Sequence, residues 1–401
     1  MDAEEETKMK KPRLKRTLSF LYVIIFIALA FLFFTNDFGL LDLRKTSVVI
    51  GIALDIEDDE VVLTAQLAVP QPAENGENTK FNVVTGRGIT VADALNEVNV
   101  KTGFYPKLVF CKLILLGESC FKKDVKELFE YFYRNEYTGL ALNVAACEGQ
   151  AAELIGQQFP CGNSATDVID KLLSSEAKAS GNVAAVTLKD VGEKTFSLSA
   201  ATYMPYFENG ILKESGGEES GGGGQSQGGG QQCEESELVC NKCALFSNGY
   251  FKGILPVEQT MALNLLFQDV RHVFFESGED ENAKVLGMRN CKGGVDLDLK
   301  NGAPVINFKF KAKVKIQDSR EGYSPDKVGE AQIEEEDLKR GQNRICKLFE
   351  ELYTSARNLD CDFFGLKDKL YKKFNDKYSQ YEDSLLKSAT VTCEVTLKSA
   401  S

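Results

Sequence analysis

Three cysteines in the middle of the chain have the spacing most suggestive of chemistry. Cys240 and Cys243 form a C-x2-C pair, and Cys233 precedes that pair by seven residues. Two thiolates at this spacing can bind one zinc ion, but a second C-x2-C pair or a histidine that would complete four ligands is missing. Three alternatives therefore stay open: a weak zinc candidate, a local disulfide, and free structural thiols. Free thiols are the simplest of the three.

No arrangement of residues points to catalysis. The chain has one histidine, His272, on which any Ser-His-Asp or Cys-His arrangement would depend. Its setting, LFQDVRHVFFE, is an apolar, strand-like stretch that favours a structural role. Acids are plentiful, but no spacing singles out a glycosidase-type carboxylate pair. The run GGGG at residues 221–224 lacks the lysine and the strand-to-helix context of a phosphate-binding loop. The sequence thus predicts no catalytic residue, no bound metal and no cofactor.

The cysteines as a group do not indicate a disulfide framework. There are eleven, an odd number, and they are widely scattered. Cys111, Cys147, Cys346 and Cys393 fall in apolar or amphipathic runs, where free cysteine behaves as a small buried hydrophobe. We therefore expect these four to be reduced, buried thiols.

Alternating strands and helices are predicted in the first half of the chain. Two β-branched runs, 48–56 and 60–68, flank the acidic turn EDDE and predict a hairpin. Thr90 is the predicted N-cap of a helix over residues 91–103. The continuous apolar run KLVFCKLILLG, residues 107–117, predicts a central strand covered on both faces. The pattern is typical of a compact α/β unit.

The second half contains a glycine-rich insertion and then a different pattern. Residues 215–232 hold no core-forming side chains and are interpreted as an expanded loop, because the segments on either side look like strand partners. Alternating apolar and polar residues after Leu286 predict a half-exposed antiparallel sheet. A long amphipathic helix and a returning strand complete this part.

These patterns together predict an α+β fold with mixed and antiparallel sheets, arranged as three domains. The predicted boundaries are 42–195 for an N-terminal α/β domain, 196–287 for a middle domain with the insertion 215–232, and 288–401 for a C-terminal α+β domain with a sheet and a long helix.

A membrane segment is predicted near the start of the chain. Residues 18–34 include no charged side chain, and residues 1–17 carry six basic ones. This bias predicts a single transmembrane helix with a cytoplasmic N-terminus and an extracytoplasmic remainder. A cleaved signal peptide is the competing interpretation, because Ala28 and Ala30 form a small-x-small pattern.

The charge of the chain restricts its partners. The formal net charge is −12 at pH 7. An acidic exported surface repels nucleic acid and anionic lipid headgroups, so the composition argues against a nucleic-acid-binding protein.

One family resemblance accounts for several short motifs. The segment DLRKTSVVIGIALDIEDDEVVLTAQLAVP resembles the start of the Ger(x)C family, the C subunits of bacterial spore germinant receptors. Further family motifs follow in the same order, so that the resemblance covers roughly residues 40–398. The residues on these motifs are Asp42, Arg44, Gly51, Asp55, Thr64, Gln66, Gly117, Glu118, Arg134, Gly149, Asp362, Phe364 and Gly365.

The resemblance implies a non-enzymatic subunit of three α+β domains, held at the outer face of the spore inner membrane. It implies germinant receptor A and B subunits as partners, with the small-molecule germinant bound by the complex. Family members usually begin with a lipobox cysteine followed by Trp-Asp, whereas this chain has no tryptophan and a predicted helical anchor. Two other function classes stay open: an exported cell-wall hydrolase that uses carboxylates, and a thiol-based metal or redox sensor.

Overall fold

A computed structural model describes residues 20–31, 46–68, 81–159, 163–210, 237–277, 284–319 and 333–400. The strands are β1 (Thr46–Glu57), β2 (Glu60–Ala68), β3 (Phe81–Gly88), β4 (Tyr105–Lys107), β5 (Leu113–Leu116), β6 (Asn143–Cys147), β7 (Gln158–Phe159), β8 (Asn163–Ser164), β9 (Val186–Thr187), β10 (Ala201–Gly210), β11 (Glu237–Ser247), β12 (Tyr250–Leu255), β13 (His272–Glu276), β14 (Lys284–Lys300), β15 (Ala303–Ser319) and β16 (Thr390–Ser399).

The helices are α1 (20–31), α2 (Val91–Thr102), α3 (Val125–Arg134), α4 (Ala151–Gly156), α5 (Ala165–Leu172), α6 (Ser175–Ala179), α7 (Leu188–Thr195), α8 (Val257–Phe267), α9 (Glu335–Asn358), α10 (Leu366–Lys373), α11 (Tyr378–Tyr381) and α12 (Leu385–Ser388), with short 3-10 helices at Glu118–Lys122 and Asn375–Lys377.

The chain divides into two units, residues 1–46 and 47–401. Helix α1 belongs to the first unit, and its large apolar side chains are exposed. Of the helices in the described ranges, none is both long enough and apolar enough to cross a membrane. Residues 1–19 and 32–34 of the predicted tail and anchor lie outside those ranges, so the anchor over residues 18–34 stays a prediction.

The second unit is built on a large mixed sheet. Its strand order is β12-β11-β10-β6-β5-β1-β2-β3, with β4 beside β1 and β9 beside β6. Strands β1, β5, β6 and β10 are parallel neighbours, and the hairpins at either side are antiparallel. The predicted α+β class with mixed sheets is confirmed. The segments on either side of the insertion are strand partners as predicted, because β10 and β11 pair antiparallel. Residues 215–232 themselves lie outside the described ranges, so the loop stays a prediction.

Local signals set the first hairpin and the first helix of this unit. Asp58 and Asp59 join β1 to β2 with φ angles of 47° and 68°, as a two-residue hairpin turn requires. Thr90 accepts a hydrogen bond from the backbone of Asp93, whose side chain accepts one from the Thr90 backbone, so a capping box begins α2. Both predictions are confirmed.

The central strand β5 is shorter than predicted. It spans only Leu113–Leu116, and its side chains alternate between two hydrophobic clusters, one on each face of the sheet. The predicted strand over 107–117 is wrong for its first half, because a turn closed by the Cys111 amide on the Leu108 carbonyl at 2.9 Å interrupts it. Phe110, within that turn, is exposed.

A second sheet of four strands has the order β13-β14-β15-β16. Strands β13, β14 and β15 are antiparallel, whereas β16 returns parallel to β15. Helix α9 covers one face of this sheet with Ile345, Leu348, Phe349 and Leu352, all of which are buried, so the predicted amphipathic helix is confirmed. The hydrophobic core is continuous between the two sheets. The three-domain division at 195/196 and 287/288 stays a prediction.

The cysteines follow the prediction only in part. Seven described cysteines, among them Cys111 and Cys147, are free and buried. Cys346 in α9 and Cys393 in β16 instead form a disulfide, with their Cα atoms 5.8 Å apart. The prediction of reduced thiols is wrong for this pair, because the strand that returns beside β15 brings residue 393 next to a helix residue 47 positions earlier.

Candidate functional site

Several of the predicted signature residues meet at one edge of the large sheet. Strands β1, β5 and β6 are parallel, with Gly51 opposite Leu113 and Leu113 opposite Asn143. Their carboxyl ends therefore lie at the same edge, which is where Asp55 and Gly117 stand. In open sheets with parallel strands this edge is the usual place for a functional site.

Asp55 caps the helix that lies across this edge. Its two carboxylate oxygens accept hydrogen bonds from the backbone amides of Ala151 at 3.0 Å and Ala152 at 2.9 Å, and the Ser119 hydroxyl lies 3.4 Å away. Ala151 and Ala152 are the first two residues of α4. A carboxylate at this position satisfies amides that have no partner within the helix. Asp55 thus holds the start of α4 against β1.

Two glycines make this close approach possible. A Cβ atom on Gly117 would lie 1.9 Å from Asp55 Oδ1, so only glycine fits between the strand and the carboxylate. Gly149, just before α4, has a φ angle of 68°, a left-handed conformation that glycine adopts without strain. The carbonyl of Gly149 accepts a hydrogen bond from the Glu118 amide at 3.0 Å.

Glu118 and Gln66 extend the same network. The Glu118 carboxylate accepts a hydrogen bond from the Tyr206 hydroxyl at 2.8 Å, which links β10 to this edge. Gln66 on β2 donates to the carbonyl of Ile155, near the end of α4, at 3.0 Å. We name the set Asp55, Gln66, Gly117, Glu118 and Gly149 the α4 bracket, because it holds α4 at both ends.

The α4 bracket has little capacity for catalysis. The carboxylate oxygens of Asp55 are already used by the amides of α4. Burial raises the pKa of Asp55 above its ordinary value, although these amides and Ser119 lower it. Burial also raises the pKa of the neighbouring Cys120 and Cys147 thiols, which keeps them protonated and unreactive. The arrangement is suited to fixing a surface, not to transferring a proton.

Replacing Asp55 with asparagine is expected to lower the free energy of unfolding by about 1 kcal/mol, because the amide group of asparagine leaves one α4 amide without an acceptor. Urea denaturation at neutral pH measures the change. Asp59→Asn is the matched control: Asp59 is exposed in the turn of the same hairpin, and asparagine accepts its left-handed conformation. Equal urea midpoints for Asp55→Asn and Asp59→Asn would contradict the capping role of Asp55.

A second group of signature residues lies at the start of α10. The buried carboxylate of Asp362 accepts hydrogen bonds from the amides of Leu366 at 3.0 Å and Lys367 at 2.9 Å, and from the Ser199 hydroxyl at 2.7 Å. Ser199 belongs to the segment between α7 and β10. Asp362 therefore ties α10 to the large-sheet part of the unit. Burial raises the pKa of Asp362 to about 6.

Phe364 and Gly365 complete this turn. Phe364 is buried against the rings of Phe308 and Tyr353, with ring centroids 5.4 and 6.4 Å away. Gly365 has a φ angle of 69° and is the residue from which α10 begins. In this turn Asp362 thus caps a helix, Phe364 fills the core and Gly365 supplies the left-handed residue before α10.

The other signature residues lie elsewhere. Gly51 faces the Thr166 side chain of α5, and Thr64 shares a hydrogen bond of 3.0 Å with Thr85 across β2 and β3. Arg134 lies on the surface and pairs with Glu130 within α3. Asp42 and Arg44 lie outside the described residues.

The weak zinc candidates are not brought together. Cys240 and Cys243 are both in β11, but they pack into different hydrophobic clusters. Burial raises the pKa of both thiols, which opposes the thiolate form that zinc needs. Cys233 lies outside the described residues. Across the described ranges, no three histidine, cysteine or acidic side chains are grouped as metal ligands. His272, at the start of β13, is exposed.

Sequence reasoning missed the side-chain partners of Asp55, Glu118 and Asp362. Ser119 and Tyr206 at the α4 bracket, and Ser199 at α10, give no local signal. Ser199 lies 163 residues from Asp362 in the sequence, and only the folded chain brings the two together.

Comparisons with known proteins agree with this architecture. A family model described as the spore germination protein N-terminal domain matches residues 41–209, and one described as spore germination B3/GerAC like, C-terminal, matches residues 241–399. A solved structure titled crystal structure of the GerBC protein shares the fold: the TM-score is 0.50 at 13% identity, over 88% of this chain and 97% of that one. Among curated proteins, none matches significantly.

Proposed function

Because this chain belongs to the GerAC-like family of spore germination proteins, we propose that it is the C subunit of a spore germinant receptor. The observation that carries the proposal is that the N-terminal and C-terminal family models match in order along one chain and together extend over most of it. In this role the subunit acts through protein–protein contacts and not as an enzyme. The chemistry of the signature residues supports that interpretation, because Asp55 and Asp362 are engaged in capping helices.

We propose further that residues 18–34 anchor the chain in the spore inner membrane as a single transmembrane helix. Residues 1–17 then lie in the cytoplasm, and residues 42–195, 196–287 and 288–401 form three domains outside it. The uncharged apolar run and the basic residues before it support this topology. The Cys346–Cys393 disulfide also supports it, since disulfides persist in oxidising, extracytoplasmic surroundings.

The proposed partners are the A and B subunits of the receptor, which meet this subunit at the membrane. The small-molecule germinant is bound by the complex, and nucleic acid is not a partner. Among the described side chains, no grouping favours the cell-wall hydrolase or the thiol sensor.

The proposal predicts that tagged full-length protein, extracted with detergent from sporulating cells, co-purifies with a polytopic membrane protein and a larger A-type subunit identified by mass spectrometry. Spores without the chain are expected to lose the response to nutrients while they still germinate with a non-nutrient trigger.

A variant that lacks residues 18–34 is the control for the anchor. Loss of the variant from the membrane fraction is expected, together with loss of both partners. Recovery of neither partner with an abundant, membrane-bound, full-length chain would contradict the receptor role.

A further inference from the structure

The face of the four-stranded sheet opposite α9 carries a concentration of basic side chains. Strand β15 alternates, so that even-numbered residues such as Phe308, Phe310 and Val314 point into the core and odd-numbered residues point outward. The outward residues of this strand are Lys309, Lys311, Lys313 and Lys315, all exposed. Alternate residues of a strand stand about 7 Å apart, so the four lysines form a row.

The neighbouring strands add further cations to the same face. Arg289 of β14 and Lys398 of β16 stand on either side of Lys313, and Lys292 of β14 stands opposite Lys311. A bulge between Arg289 and Lys292, where Asn290 has a φ angle of 52°, keeps both of these side chains outward. We name the set Arg289, Lys292, Lys311, Lys313, Lys315 and Lys398 the basic face.

Like charges stand directly opposite each other on the basic face. The register pairs Arg289 with Lys313, Lys313 with Lys398, and Lys292 with Lys311. Such pairs destabilise a sheet, because no attraction offsets the repulsion between neighbouring cations. This arrangement therefore lowers the stability of the free protein, and an anionic partner would remove the repulsion by neutralising the cations.

Among the residues that the structure describes, acidic side chains do not neutralise these cations. Lys309, next to the basic face, pairs with Asp296 at 3.7 Å and stands opposite Glu394. Glu276 and Asp318 lie toward the other end of the sheet. Within the described ranges, no carboxylate forms an ion pair with a member of the basic face. A chain with a net charge of −12 thus carries a local excess of six cations.

We propose that the basic face docks on the anionic headgroups of a lipid bilayer. Clusters of four to eight basic residues are typical of segments that bind anionic membranes, and each residue adds about fivefold to the affinity. The composition favours lipid over a protein partner, since protein interfaces are depleted in lysine, and lysine makes up five of the six residues here.

One apolar side chain is placed to assist this contact. Phe274 of β13 is 69% exposed, and the register places it in the same cross-strand row as Gly287 and Lys315. A basic surface with an exposed aromatic ring suits the boundary between headgroups and acyl chains. The inference goes beyond the proposed function, because it assigns a lipid contact to the extracytoplasmic part that is separate from the anchor and from the receptor partners.

Lysine labelling of the full-length chain tests the proposal. The chain is reconstituted into nanodiscs of phosphatidylglycerol mixed with phosphatidylcholine, or of phosphatidylcholine alone, and is acylated with an amine-reactive ester. Mass spectrometry then gives the rate at each lysine. We expect acylation of Lys311, Lys313 and Lys315 to slow at least about threefold in the anionic nanodiscs, and added salt to restore the rate. Lys122, Lys171 and Lys252, exposed lysines of the large-sheet part, are expected to keep their rates.

A variant in which three lysines are replaced by uncharged glutamine isolates the contribution of the basic face. In Lys311→Gln/Lys313→Gln/Lys315→Gln, Lys292 and Lys398 are expected to lose their protection by anionic lipid. The matched control, Lys122→Gln/Lys171→Gln/Lys252→Gln, is expected to retain it. Because the first variant also removes three like-charge pairs, its Tm at low salt is expected to rise by about 1 to 2 °C. The raised Tm distinguishes loss of lipid contact from loss of folding.

Three results would overturn the proposal: equal rates in both kinds of nanodisc, protection only when the proposed A and B subunits are present, or the same protection from inorganic phosphate without lipid. The second result assigns the face to a protein, and the third to soluble anions. A chain that fails to enter nanodiscs contradicts the anchor alone, and the same labelling is then done with vesicles of the two compositions. Failure to recover receptor partners from cells leaves the lipid result unaffected.

Discussion

Replacing Asp362 with asparagine is expected to abolish a pH-dependent fall of about 3 kcal/mol in the free energy of unfolding. In the unmodified protein, burial raises the pKa of Asp362 to about 6 from its ordinary 3.8. The two amides of α10 and the Ser199 hydroxyl lower the pKa, but they do not offset the loss of solvation.

The sign of the effect follows from the proton balance. Between pH 3.8 and about 6 the folded protein holds a proton on Asp362 that the unfolded chain has lost. The folded state therefore binds more protons, and its stability falls as pH rises through this range. The contribution of Asp362 is most favourable below pH 3.8, and the loss is complete above about pH 6. Asparagine keeps the shape of the side chain and does not titrate.

Urea denaturation of the unmodified protein and of Asp362→Asn across this pH range measures the effect as the difference between the two stability curves. Asp360→Asn is the matched control, because Asp360 is exposed, lies two residues away and has a φ angle of 49° that asparagine accepts. The stability of Asp360→Asn is expected to change with pH in the same way as that of the unmodified protein. A difference between Asp362→Asn and the unmodified protein that does not change with pH would show that the buried carboxyl titrates normally.

The sequence predicted those features of this chain that depend on residues close to each other in the sequence. The turn at Asp58 and Asp59 and the cap at Thr90 depend on residues within three positions of each other, and both were predicted. The predicted strand over 107–117 was too long, because the apolar run is broken by a turn whose hydrogen bond no propensity specifies.

The candidate sites show that contacts between residues distant in the sequence could not be predicted. The resemblance singled out Asp55 and Asp362, but it did not show that both carboxylates cap helices. The α4 amides that Asp55 caps and the Ser199 hydroxyl bound by Asp362 lie 96 to 163 residues away in the sequence, whereas the α10 amides that Asp362 caps are local. Contacts over such distances are set by sheet order and helix packing, which a single sequence does not specify. The same reason explains why the pairing of Cys346 with Cys393 was not predicted.

Removing this disulfide is expected to lower the free energy of unfolding by about 4 kcal/mol, because it closes a long loop and so restricts the unfolded chain. Cys346 and Cys393 are separated by 47 residues, a loop that includes the rest of α9, the Asp362 turn and α10 to α12. The bond fastens α9 to β16, the strand that completes the small sheet. Its loss is therefore expected to loosen the sheet whose outer surface is the basic face.

Urea denaturation of Cys346→Ser/Cys393→Ser, with and without reductant, measures the contribution. The unmodified protein is expected to lose the same stability on reduction, whereas the double variant does not respond to reductant, so that each serves as the control for the other. Alkylation of the denatured, unreduced protein provides a direct chemical check. Cys111 and Cys147 are expected to react, and peptides with Cys346 and Cys393 are expected to stay linked. Equal midpoints for variant and unmodified protein, or alkylation of Cys346 and Cys393 before reduction, would contradict the assignment.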